Sequence, residues 1–183
     1  MDRDAAWKLV RQHVKNKNLR KHMLATEAVM RRLARHFNAD EEQWGLVGLL
    51  HDIDYDQTAN DPDQHSILAA EILAAEGLEP EVVYAVKVHN HQHGLPRLSL
   101  LDKALYCTDP ITGLIVAAAL ISKEKRLSAI DSQFVLNRFG EKSFARGANR
   151  ETILACCEIG LELEQFVDLA LEAMQGIAED LGL

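Results

Sequence analysis

Apolar positions recur at steps of three and four along most of the chain, the period of one face of an α-helix. Residues 4–16 put Trp7, Leu9, Val10 and Val14 on one side, and Asn16-Lys17-Asn18 interrupts the pattern. From about Leu19 to Phe37 the stripe is Leu19, His22, Thr26, Val29, Leu33 and Phe37. Asn38 or Asp40 is placed to cap a third helix, which carries the run Trp44-Gly45-Leu46-Val47-Gly48-Leu49-Leu50 and ends near His51. Residues 52–63 are polar, with Asp52, Asp54, Asp56, Asp61, Asp63 and Pro62, and predict a loop. Two helices follow, over about 64–76 up to Gly77 and over about 80–90 with Pro80 in the first turn. Ser99 and Asp102 have capping-box spacing and open a helix to about Asp109, where Pro110 should break or kink it. Segments 110–121 and 128–139 predict two more helices, and Asn149 begins a last long one reaching about Leu181. No stretch keeps the two-residue alternation of a strand, and there is no internal repeat. The pattern predicts an all-α protein, an irregular helical bundle.

Composition narrows this only a little. A chain of 183 residues is long enough to bury a full core as one domain, 1–183. Gly and Pro are sparse, which favours helix. No uninterrupted apolar run reaches about 18 residues, so a membrane span is not expected. The start, Met1-Asp2-Arg3-Asp4, lacks a signal pattern, and Cys107, Cys156 and Cys157 lack finger-like spacing. A cytoplasmic protein with reduced thiols is expected. The net charge of −8 disfavours generic nucleic-acid binding. Within it, residues 1–37 carry ten basic side chains against three acidic ones, a solvated face or a lure for an anionic substrate.

The chemistry lies in polar groups set on apolar stripes. The doublet His51-Asp52 closes the third helix, and His22 is in step with Thr26, Val29 and Leu33. His65 shares a face with Leu68, Ala69 and Ile72, and His89 shares one with Val82, Ala85 and Val86. Asp109 follows Leu101 and Leu105 at four-residue steps. Burying one such group without a partner costs on the order of 1–3 kcal/mol. Five helices aiming imidazoles and carboxylates inward share a partner most cheaply if it is a divalent metal ion. Adjacent helical residues point about 100° apart, so His51 and Asp52 reach one ion only where the helix ends, as the acidic loop implies. His91 and His93 extend a His-x-His-x-His run after a helix end and are weaker candidates.

This ordered set resembles the HD-domain metal-dependent phosphohydrolase superfamily. The resemblance covers about residues 19–121 and leaves a C-terminal helical extension, about 122–183, without assigned chemistry. His65 and His89 resemble the two extra histidines of the dinuclear branch, as in diadenosine tetraphosphate hydrolases of the YqeK type. The stretch Leu100 to Pro110 is similar to that branch's segment around its last aspartate. The doublet continues Ile53-Asp54 where the HDIG subset has Ile-Gly, and the run after His89 differs from that of the YqeK type. The resemblance implies that His22, His51, Asp52 and Asp109 hold one divalent ion and that His65 and His89 help to hold a second, with Asp52 bridging. It implies hydrolysis of a phosphate ester or phosphoanhydride, by hydroxide formed on the metal, in a small, nucleotide-like substrate. Fe, Mn, Co, Ni and Zn all suit mixed His and carboxylate ligands. Asp52 and Asp54 are the candidate catalytic carboxylates, and Asp56 is a further candidate acid or base. Lys21 and Arg97 are candidate phosphate contacts. A silent HD-like module binding a nucleotide or a protein is the alternative, and the C-terminal third is a candidate cover, homodimer surface or specificity element.

Overall fold

The computed structural model describes residues 1–183, which form α-helices and short 3-10 turns and no strand. The helices are α1 (Arg3–His13), α2 (Lys17–Phe37), α3 (Glu41–Leu50), α4 (Tyr55–Thr58), α5 (Ile67–Ala75), α6 (Pro80–Val88), α7 (Leu100–Ile121), α8 (Ser132–Gly140), α9 (Arg150–Leu154), α10 (Leu163–Gln175) and α11 (Ala178–Leu181). The all-α expectation holds.

Both candidate caps at residues 38 and 40 act, each on a different helix. Asn38 ends α2 in the left-handed conformation, and Asp40 accepts the Glu42 and Gln43 N–H groups at the start of α3. This tight turn folds α3 back on α2, the most extensive helix pair in the bundle. Gly48 permits the approach. A Cβ there would lie 2.8 Å from the Thr26 carbonyl oxygen and 2.9 Å from the Glu27 backbone nitrogen. The contact brings His51, three residues on, level with His22.

α7 packs against α2, α3, α6, α8, α9 and α10. Ser99 and Asp102 form the expected capping box at its start. Pro110 does not break it, and the predicted boundary at Asp109 is absent: one helix runs from Leu100 to Ile121. Proline removes one intrahelical hydrogen bond, and burial of Leu105, Ile111, Leu114 and Ile115 around it outweighs that loss. By length and composition alone α7 is long and apolar enough to cross a membrane, and here it is a core helix of the bundle.

The last long helix is not continuous. It divides into α9, a 3-10 turn over Ala155–Ile159, α10 and α11, with Gly160 in the left-handed conformation at the first break. The acidic loop also holds a helical turn, α4.

Candidate metal centre

Four imidazoles from four parts of the chain meet around Asp52. His51 caps the C-terminal end of α3 and His89 that of α6, His22 lies in the second turn of α2, and His65 just precedes α5. His22, His51 and His89 are linked through His51, and His65 joins at His89, each ring edge-on to the next with centroids 5.0 to 5.2 Å apart.

The Asp52 carboxylate has two sides, and each faces its own pair of rings. Oδ2 lies 3.6 Å from His22 Nε2 and 3.4 Å from His51 Nε2. Oδ1 lies 3.6 Å from His65 Nε2 and 3.5 Å from His89 Nε2. Asp109 Oδ1 closes the first side, 3.0 Å from His22 Nε2 and 3.8 Å from His51 Nε2, and the two Nε2 atoms are 3.2 Å apart. Donors about 2.0–2.2 Å from one ion sit roughly 3.0–3.5 Å from each other. The spacing of these side chains is that of ligands around a cation. His22, His51 and Asp109 form one set of donor atoms close enough to share an ion, and His51, Asp52 and His89 form another.

The hydrogen bonds on the far side of each ring decide which nitrogen is free. His51 Nδ1 is 2.8 Å from the Gly48 carbonyl, and His89 Nδ1 is 2.6 Å from that of Val86. A carbonyl only accepts, so both Nδ1 atoms carry a proton and Nε2 is the nitrogen left to face an ion. Thr112 Oγ1 donates to the Asp109 carbonyl and therefore accepts from His22 Nδ1, at 3.0 Å. His65 Nδ1 donates to Asp54 Oδ1 at 3.1 Å. All four Nε2 atoms thus converge on Asp52, the ring orientation a metal site requires. His89 Nε2 is buried with no hydrogen-bond partner, a defect that a ligated ion removes.

The electrostatics agree. Burial would lower the His51 pKa, but Asp52, and behind it Asp109, raise it to about 9. Burial would raise the Asp52 carboxyl, yet His51, His89 and His22 hold it well below the usual carboxylate range. Asp109 is lowered likewise, its burial offset by His22 and then His51. Burial would lower His65, and its bond to Asp54, reinforced by Asp52, raises it. The two acids stay ionised, and positive charge is drawn in to balance them.

Several sequence candidates fall elsewhere. Asp54 is fully buried and spent: beside His65 it accepts the Ser66 N–H at 2.8 Å and the Ala69 N–H at 3.1 Å, capping α5 from a distance. It orients a candidate ligand and cannot reach a substrate as acid or base. Asp56 accepts the backbone N–H groups of Lys15 and Asn16, so it ties the α1–α2 turn. Lys21 does line the cavity beside His22, and there its Nζ donates to the Leu181 carbonyl at 2.7 Å. Arg97 pairs with Glu158 at 2.7 Å and covers the Tyr106 ring, so it is occupied in joining the start of α7 to the turn before α10. His93 Nε2 donates to the His65 carbonyl, and His91 is exposed. Four of the ten basic side chains of the N-terminal segment are held in ion pairs: Arg3 and Arg31 grip Glu27, Arg35 grips Glu41, and Arg32 grips Glu172.

Sequence reasoning missed Thr112, although it lies one turn beyond Asp109 and that spacing was a usable signal. It also missed Tyr55, whose ring stands edge-on to His65, centroids 5.0 Å apart. Two cavities open at His22 and share Gly113. One, of about 370 Å³, is mostly apolar, with Ala25, Val116, Leu120 and Leu181. The other, of about 340 Å³, lies over Asp109 and is walled by Ala145, Gly147 and Ala148.

A helical bundle that gathers imidazoles and acids from separate helices around one paired carboxylate defines a candidate metal-centre protein. The family model for the HD domain matches residues 19–131, and the chain belongs to that family, whose members are generally metal-dependent hydrolases. No solved structure matches the chain.

Proposed function

We propose that the protein is a phosphohydrolase that uses a dinuclear centre, of the kind found in the two-metal branch of the superfamily, on a small phosphorylated substrate. The observation that carries this reading is the two-sided Asp52 carboxylate, with one imidazole pair facing each oxygen. Bound divalent ions supply an acidified water and neutralise phosphoryl oxygens. The chain does the rest. Asp52 would help to hold both ions, and His51 and His89, with side chains 0% and 2% exposed, close the back of the site against water. His22 and Asp109, with side chains 24% and 37% exposed, face the two cavities and leave that side for substrate. The apolar cavity beside His22 is suited to the part of the substrate that is not phosphate.

The test is hydrolysis of p-nitrophenyl phosphate and of a nucleotide panel by purified protein supplied in turn with Mn, Fe, Co, Ni and Zn, alongside elemental analysis. Turnover by protein holding about two ions per chain is the expected result. A metal-free protein inactive under every condition overturns it in favour of a binding module.

A further inference from the structure

The segment between α8 and α9 is short, polar and without a candidate ligand, yet it forms the wall of the cavity over Asp109. Its shape depends on one side chain. The Arg150 guanidinium donates to the carbonyls of Phe144 (2.7 Å), Ala145 (2.9 Å), Ala148 (2.7 Å), Phe139 (3.2 Å), Arg138 (3.3 Å) and Glu141 (3.4 Å). No other side chain in the protein organises so many peptide groups.

A peptide unit in the trans form points its N–H opposite to its C=O. With the Phe144 and Ala145 carbonyls drawn to Arg150, the N–H groups of Ala145 and Arg146 are turned to the other side of the loop. No group of the chain accepts either of them. Ala145 also holds a left-handed backbone, φ 43°, which costs a non-glycine residue energy. Successive free N–H groups around a left-handed residue form a concavity that suits an anion. Ala145, with Gly147 and Ala148, lines a cavity whose opposite wall is His22 and Asp109. A cation beneath the loop strengthens the concavity, because Arg150 polarises those peptide units. Arg146 stands exposed at its rim with no ion pair.

We propose that the Phe144–Ala148 loop, held by Arg150, is the anion-binding wall of the site and takes phosphoryl oxygens through the backbone N–H groups of Ala145 and Arg146. This deepens the hydrolase reading and assigns a role to part of the C-terminal third. Arg150 is a positioning residue, acting through the loop. The probe is inorganic phosphate, measured by equilibrium dialysis on metal-loaded full-length protein. Arg150→Gln weakens phosphate binding about tenfold or more while metal content and helical circular dichroism stay unchanged. Ala145→Val, a β-branched residue at a left-handed position, displaces the same N–H groups without touching Arg150 and gives a loss of the same kind. Lys8→Ala, an exposed cation on α1 away from both cavities, leaves phosphate affinity as it was. Unaltered affinity in both loop variants overturns the proposal, as does wild-type protein that takes up metal but no phosphate, or a loss in Lys8→Ala that equals theirs. Should Arg150→Gln fail to fold, Ala145→Val alone decides. Protein that binds phosphate at the loop yet cleaves no phosphate ester refutes the hydrolase reading and leaves the loop standing.

Discussion

The inner and outer imidazoles of the centre are aimed by different means. His51 and His89 are held by carbonyls three residues back in their own helices, those of Gly48 and Val86. His22 and His65 are held by side chains from other elements, Thr112 of α7 and Asp54 beyond α3. A helix that ends at a histidine supplies its own acceptor, so the inner pair is oriented as soon as the helix forms. The outer pair is oriented only when the bundle closes. The inner rings are insulated from mutation because a backbone carbonyl cannot be substituted. The outer rings depend on one residue each.

Removing what the two sides share has the largest effect. Asp52→Ala takes the shared carboxylate from both, and the variant should lose every bound ion in elemental analysis while circular dichroism stays helical. Full metal occupancy would show that the donors act without the bridge. Asp54→Ala comes next, because it strands three buried donors at once. It should cost on the order of 3 kcal/mol in urea unfolding and weaken the ion on the His65 side about 10–100-fold, sparing the other. Equal loss of both ions would break the division into two sides. Thr112→Val keeps the shape but removes the acceptor for His22. A loss of about tenfold in affinity is expected on the His22 side alone, with a stability change near 1 kcal/mol.

The last effect is one of pH, in protein stripped of metal. His51 is raised from an ordinary value near 6.5 to about 9. Its folded-state pKa exceeds the unfolded one, so its stabilising contribution is complete below about 6.5 and is lost as pH rises through about 9. Asp52 and Asp109 are lowered instead, so their contribution is present above the ordinary carboxylate value and lost as pH falls through the depressed ones. The melting temperature of stripped protein should therefore decline between pH 6.5 and 9. A flat profile there would mean that His51 carries no extra proton.

The contrast between inner and outer rings also explains what the sequence made legible. The helices, the caps at Asp40 and Ser99, and the inward faces of His22, His51, His65, His89 and Asp109 were readable because each is local: a period, a cap, a step of three or four. The role of Asp54 was not, because Ser66 and Ala69 lie twelve and fifteen residues away and nothing local announces that contact. Pro110 misled for the opposite reason: a local rule predicted a break, and packing on several sides of α7 overrode it. Lys21 and Arg97 were cations near the right residues in sequence, but a hydrogen bond to Leu181 and an ion pair with Glu158 engage them. The loop at 144–148 has apolar or small residues apart from the exposed Arg146, and its chemistry is that of the backbone, which no residue-type search finds.

Gly48 ties assembly to chemistry. It is the seam where the backbones of α2 and α3 touch, and its own carbonyl turns the His51 ring. Until those two helices zip together, the first ligand set does not exist. A cation that prefers this arrangement must therefore add its binding energy to the folded chain alone, so that loading the protein and making it resist heat are one thermodynamic act.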